Sequence, residues 1–217
     1  MGRPQQLKPK PSSVVLFVGP PLVGKDEMIK LLTKVMTTKD VQGTVRYISP
    51  SEVLRWSTNP TIQRCRDENR PIPQEVVSEV MNEQIIESLR SVHLTAIDDY
   101  PRGMEEARDM IAMLQKNRVL RPVCVHLIGT FNLFTGRLAT HIKNKGYDAT
   151  LHDKMTERWE EYRRSCETMI PYLRQVTQYV EINPESLEEK KREPLDIFAS
   201  MWALMGHHVT ELTTALA

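Results

Sequence analysis

Val14-Val-Leu-Phe-Val-Gly-Pro-Pro-Leu-Val-Gly-Lys-Asp-Glu27 decides how the rest of the chain is read. The apolar, largely β-branched run Val14 to Val18 predicts a short strand buried on both faces. Gly19 and Gly24 then bracket a loop, and Lys25 follows at the Gly-x4-Gly-Lys spacing of a phosphate-binding loop. Such a loop points backbone N–H groups at a phosphate, and the next helix adds its positive N-terminal end. Asp26 and Glu27 stand where a hydroxyl residue is expected after the lysine. Carboxylates there stabilise a helix by about 0.3–1 kcal/mol. They also repel a phosphate, by about 4 kcal/mol per close encounter at an effective dielectric near 20. The stretch therefore reads either as a nucleotide-binding loop or as a strand–turn–helix capped by its own acids.

The remainder predicts four more strands separated by helices. Val45 to Ile48, Leu94 to Ile97, Val123 to Ile128 and Thr177 to Ile182 are the strands. Helical spacing extends from the loop to about Thr37, and again over Val76 to Leu89, Ala107 to Leu114 and Phe134 to Ile142. Two further helices cover Leu151 to Leu173 and Leu195 to Leu216, the last with Phe198, Met201 or Trp202, and Met205 inward. Ser49-Pro-Ser51 reads as a capped helix start that Asn59-Pro60 breaks. Lys143 to Tyr147 reads as a polar loop, and Glu185 to Glu193 as a solvated charge run. Alternating strands and helices imply an α/β fold with a five-stranded parallel sheet, helices on both faces, and ligands at the C-terminal strand ends. Those ends carry Gly19 to Lys25, Ser49 to Arg55, Asp98 to Arg102 and, beyond the fourth strand, Arg137.

The totals restrict the alternatives. A chain of 217 residues fits one domain with a small insertion. A net charge of +1 gives no nucleic-acid signature. No apolar run is long enough to span a membrane. Cys65, Cys124 and Cys166 are scattered, which suits reduced thiols and a cytoplasmic setting. Residues 1–13 hold Pro4, Pro9 and Pro11, with Arg3, Lys8, Lys10 and no acid. A Pro-broken tail is expected, although the charge also suits an organelle-targeting leader. Gly2 lacks the following Ser or Thr of a myristoylation signal.

Taken together, the motifs resemble those of the nucleoside monophosphate kinase family, most closely its adenylate kinase branch. The family loop, Gly-x-Pro-Gly-x-Gly-Lys-Gly-Thr, lies over Gly19 to Glu27. Its Ser-Thr-Gly-Asp-x-Leu-Arg element lies over Ser49 to Arg55. Its Asp-Gly-Phe-Pro-Arg element, with a glutamine four residues on, lies over Asp98 to Arg102 and Glu106. Its Arg-x3-Arg pair lies over Arg137 and His141, and Gly-Arg-x-Asp-Asp over Gly146 to Thr150. A family arginine eleven residues beyond Tyr147 falls at Arg158. A generic P-loop kinase or GTPase would not place Asp98, Pro101, Arg102 and Arg137 in register.

The resemblance implies a P-loop NTPase three-layer fold over residues 14–217. It adds a helical monophosphate-binding insertion over about residues 49–77 and a short lid over about residues 141–150. It implies that Gly19, Pro20, Pro21, Gly24, Lys25, Asp26, Glu27 and Arg137 bind ATP. Arg55, Ile72, Arg102 and Glu106 would bind the monophosphate, and Asp98 would orient Mg²⁺ through water. Lys25, Arg102 and Arg158 would handle the transferring phosphoryl.

Several family positions are changed. Leu22 replaces a loop glycine, which matters where the backbone needs positive φ. Glu27 replaces the threonine hydroxyl, His141 and Tyr147 replace two clamping arginines, and Ala149 and Thr150 replace lid aspartates. Pro50, Asp99 and Glu106 replace Thr, Gly and Gln on the acceptor side. Losing one transition-state donor costs about 2.7–4 kcal/mol in comparable enzymes. The expectation is an adenylate-kinase-like nucleotide-binding protein with weak or lost phosphoryl transfer and a scaffold role beside protein partners in a larger assembly. The alternative is an active kinase moving the terminal phosphoryl of Mg-ATP to AMP, CMP or UMP. Pairing of Lys25 with Asp26, Glu27 or Asp98 would favour the scaffold. The charged helix from Thr156 to Arg164 reads as a solvated face.

Overall fold

The computed structural model describes residues 13–37, 45–119, 121–145, 149–186 and 193–214. Five strands form one sheet: β1 (Ser13–Val18), β2 (Val45–Ile48), β3 (Leu94–Asp98), β4 (Val123–Leu127) and β5 (Gln178–Ile182). Every pairing is parallel, and the spatial order is β2-β3-β1-β4-β5. The helices are α1 (Lys25–Thr37), α2 (Pro50–Trp56), α3 (Pro60–Asp67), α4 (Gln74–Ser91), α5 (Met104–Lys116), α6 (Phe131–Lys145), α7 (Ala149–Val176) and α8 (Pro194–Thr214).

Alternation along the central strand builds two cores. Val15 and Phe17 face α1 and α8, against Met28, Leu32, Phe198 and Met201. Val14, Leu16 and Val18 face the opposite layer, against Met81 of α4, Met110 and Leu114 of α5, and Leu173 of α7. Each fully buried side chain of this kind contributes about 1.5–3 kcal/mol. A third cluster joins Leu22 to Phe134 and Leu138 of α6 and Trp159 of α7.

This layering also creates the crevice. β1 and β3 are neighbours, yet α1 leaves β1 for one face and α5 follows β3 on the other. The two loops part above the strand ends, where open parallel sheets bind ligands.

Local boundaries differ from the sequence expectations in three places. Asn59-Pro60 ends α2 but also starts α3, because the Asn59 side chain accepts from the N–H groups of Thr61 and Ile62 while Pro60 sits at the first helical turn. Helix α6 runs from Phe131 through Lys145, so the expected polar loop from Lys143 is helical at its start. Helix α7 begins at Ala149 and continues to Val176. The tail over residues 1–12, the turn over 38–44, Gly146 to Asp148 of the expected lid, and residues 187–192 lie outside the described residues. The expected insertion over 49–77 is occupied by α2, α3 and the start of α4. No helix among the described residues is long and apolar enough to cross a membrane.

Candidate functional site

Backbone shape dictates which residues the β1–α1 loop tolerates. Gly19 has φ +157°, and a Cβ there would lie 2.5 Å from the Leu127 carbonyl oxygen. Gly24 has φ +100°. Between them Leu22 adopts φ +61°. A non-glycine residue there costs about 1–2 kcal/mol. Two contacts offset that strain: the Leu22 side chain packs beside Phe134 and Trp159, and its carbonyl accepts from Arg137 Nη1 at 2.9 Å. Arg137 thus braces the loop from α6. Pro20 and Pro21 complete the bend, and α1 begins when Met28 N–H donates to Gly24 O at 3.2 Å.

Lys25 opens α1 and is 6% exposed. Its Nζ donates to the Gly19 and Pro20 carbonyl oxygens, each at 2.9 Å, and lies 3.8 Å from Asp99 Oδ1. Pairing with Asp26 or Glu27, which would favour the scaffold, does not occur. Instead, Asp26 and Glu27 face solvent on α1 and pair with Lys30, at 3.6 Å and 2.6 Å. Lys25 points back under the loop, so the acids that follow it in sequence are not its partners.

At the end of β3, Asp98 and Asp99 have different surroundings. Asp98 Oδ2 accepts from the Tyr47 hydroxyl at 3.1 Å, while Oδ1 is buried without a hydrogen-bond partner. Burial pushes its carboxyl above the usual range, against the pull of Lys25. Asp99 extends the ladder through its N–H to Phe17 O at 3.3 Å and then turns at φ +58°. Its carboxylate meets Lys25, Arg102 Nη2 at 2.7 Å, and Arg158 Nη2. Arg102 Nε also donates to the Asp99 carbonyl oxygen at 3.2 Å. Burial pushes the Asp99 carboxyl up, but Lys25, Arg102 and Arg158 together hold it below the usual range.

Glu106, 5% exposed on α5, accepts from the Arg102 backbone N–H at 2.6 Å. That bond locks the turn following Tyr100-Pro101, a cis peptide. Burial raises the Glu106 carboxyl despite the bond. Arg102, Glu106, Ile72, Leu54 and Tyr100 line a cavity of about 390 Å³ between α2, α4 and α5. That is within the range of small-molecule sites. Pro50 also lines it, whereas Arg55 is exposed on α2 and lines neither this cavity nor the one beside the loop. The second space, bounded by Gly19, Pro21, Asp99, Arg102, Arg158 and Tyr162, holds about 40 Å³. It has room for about one water.

Lys25, Arg102 and Arg158, from three separate segments, therefore meet at one carboxylate. On α7 Trp159 is buried and Glu157 and Arg163 are exposed, while Arg158, its side chain 38% exposed, reaches Asp99 from between them. His141 lies half-buried on α6, Ala149 and Thr150 open α7, and Tyr147 is outside the described residues.

Two features were not evident in the sequence. In the sequence Asp99 marks only a substituted glycine, and its role needs the fold to collect three cations. The other is His126, buried at the end of β4. Tyr179 OH donates to Glu181 at 3.1 Å, so its oxygen accepts from His126 Nδ1–H at 2.5 Å. His126 Nε2 then accepts from Tyr162 OH at 2.7 Å. Burial pulls this imidazole down to about 4, against the pull of Glu181. No group of three or more metal-ligating side chains occurs among the described residues. A scan against protein-family models and a search of curated proteins both find no match for this chain.

Proposed function

We propose that the chain is an adenylate-kinase-like P-loop protein of the nucleoside monophosphate kinase family, one that binds nucleotides with weak or lost phosphoryl transfer and serves in a larger assembly. The observation that carries this reading is the meeting of Lys25, Arg102 and Arg158 at the C-terminal ends of β1 and β3. Guanidinium forks and a loop lysine are the groups that hold phosphate oxygens. The sheet order and the bend between Gly19 and Gly24 support the same reading. The cavity beside Arg102 and Glu106 suits a monophosphate nucleoside. Glu106, as a carboxylate, would accept from a base amino group.

Charge argues for weak turnover. All three cations pair with Asp99, Lys25 also acts on Asp98, and Glu161 lines both spaces. Little positive excess is left for a polyphosphate, whose transition state needs such excess. Mg²⁺ would arrive with ATP. Asp98, with Oδ1 unpartnered and at a strand end, fits acceptance from a metal-bound water and offers no complete metal site alone.

Calorimetry with Mg²⁺ and, separately, ATP, AMP, CMP, UMP and an ATP–AMP bisubstrate analogue tests this. Saturable analogue binding that Arg102→Ala removes, with at most slow turnover in a coupled assay, is the expected result. No binding at millimolar ligand refutes the nucleotide reading. Rapid turnover abolished by Lys25→Ala would establish the active kinase instead, which the intact acceptor cavity favours.

A further inference from the structure

Asp99 uses the donors that a phosphate would need. Arg102 spends Nη2 on its carboxylate and Nε on its carbonyl, and Arg158 spends Nη2 on the same carboxylate oxygen. Lys25 divides its ammonium between two loop carbonyls and Asp99. Two of its three protons go to those carbonyls, and the remaining charge faces Asp99 as an ion pair at 3.8 Å. Carboxylate and phosphate oxygens are alternative acceptors for the same guanidinium fork. The side chain is also placed for the task. Its backbone turns at φ +58°, a conformation that glycine takes freely and aspartate tolerates. The space it leaves beside Gly19 and Pro21 is about 40 Å³.

We propose that Asp99 is an internal anion that competes with phosphate for Lys25, Arg102 and Arg158, and so sets how weakly the site binds a polyphosphate chain. The inference rests on the nucleotide-site reading above and adds to it the residue that controls affinity. One carboxylate is shared by cations from the loop, from the turn after β3 and from α7, which no other side chain described here does. A polyphosphate that takes Nη2 of Arg102 or of Arg158 must displace Asp99 from it. Replacing Asp99 frees Nη2 of both arginines, removes a like charge opposite Lys25 and, in the glycine variant, enlarges the space beside the loop.

The test uses the full chain, unaltered and as Asp99→Gly and Asp99→Asn, titrated calorimetrically with inorganic tripolyphosphate and with Mg-ATP at one ionic strength. Glycine suits the positive φ, and asparagine keeps the side-chain shape without the charge. Both variants should bind tripolyphosphate at least about ten-fold more tightly than the unaltered chain. Adding Arg158→Ala to Asp99→Gly should remove most of the gain. Folded variants that bind no more tightly than the unaltered chain overturn the proposal and leave Asp99 as a tie between β3 and α7. If the unaltered chain meanwhile binds the bisubstrate analogue, the nucleotide reading survives that failure; if no form binds either ligand, both fall. A readout without substitution also decides. Saturating tripolyphosphate should shift the Asp99 carboxyl ¹³C resonance of the unaltered chain, and saturable binding that leaves it unmoved refutes displacement.

Discussion

Acidification should weaken the fold through His126, and the size of the effect follows from its surroundings. The imidazole sits between the hydroxyls of Tyr162 and Tyr179, is 6% exposed, and is held near pKa 4 rather than 6.5 by burial. The unfolded chain therefore takes up the proton first. Stability is complete above about pH 6.5 and declines as pH falls toward about 4. A shift of that size, at about 1.4 kcal/mol per unit, amounts to about 3 kcal/mol in full. About 2.5 kcal/mol of it should be lost by about pH 4.5. Burial raises the Asp98 and Glu106 carboxyls, which acts on the pH dependence with the opposite sign. The comparison is therefore with His126→Gln, whose amide keeps a donor and an acceptor but does not titrate, so the other groups cancel. Urea unfolding followed by circular dichroism, from about pH 7.5 to about pH 4.5, measures both proteins. The unaltered chain should lose about 2.5 kcal/mol more than the variant over that range. Parallel pH profiles would refute the argument, since they would mean that His126 takes up its proton as readily in the fold as in the unfolded chain.

Substitutions at three further positions probe the site's frame. Gly19→Ala should cost about 3 kcal/mol or more, since its Cβ would meet the Leu127 carbonyl at 2.5 Å with φ +157°, and thermal unfolding would show this. Arg137→Ala should cost about 1 kcal/mol and speed amide exchange across residues 19–24, because Leu22 O loses its donor at a strained φ. Unchanged exchange there would show that packing alone holds the loop. Glu106→Ala should cost about 1–2 kcal/mol by leaving the Arg102 N–H unpaired, whereas Glu106→Gln keeps the acceptor. Because burial raises the Glu106 carboxyl, its contribution is lost as pH rises through the folded value. The glutamine variant should therefore gain on the unaltered chain with rising pH in urea titrations.

Local chemistry made much of the frame legible in the sequence. The apolar run before Gly19, the alternation of strand and helix patterns, and Gly19-x4-Gly24-Lys25 all depend on residues close in the chain. They predict the five-stranded parallel sheet and the bend from Gly19 to Gly24, whereas the burial of Lys25 under that bend is seen only in the structure. The position of Leu22 already raised the question of positive φ, which the backbone answers with +61°. What holds Leu22 there, Arg137 together with Phe134 and Trp159, lies more than a hundred residues away. Arg55 shows the opposite case: its place in a motif suggested a ligand contact, but its helix leaves it exposed outside the cavity.

Two outcomes depended on tertiary structure alone. His126 lies in an unremarkable apolar strand, and its character comes from one tyrosine on α7 and another on β5. Asp99 stands beside Asp98, yet only Asp99 turns toward Lys25, Arg102 and Arg158, while Asp98 meets Tyr47. Sequence spacing sets which residues can share a helix face or a turn. It carries no information about which distant charges the closed sheet will bring within a few ångströms. The chain by itself therefore determined the strands, the loop and the candidate cations. The packing of α7 and the turn after β3 against β1 decided that those cations meet at a carboxylate of the protein's own, because that contact exists only when three segments far apart in sequence are folded together.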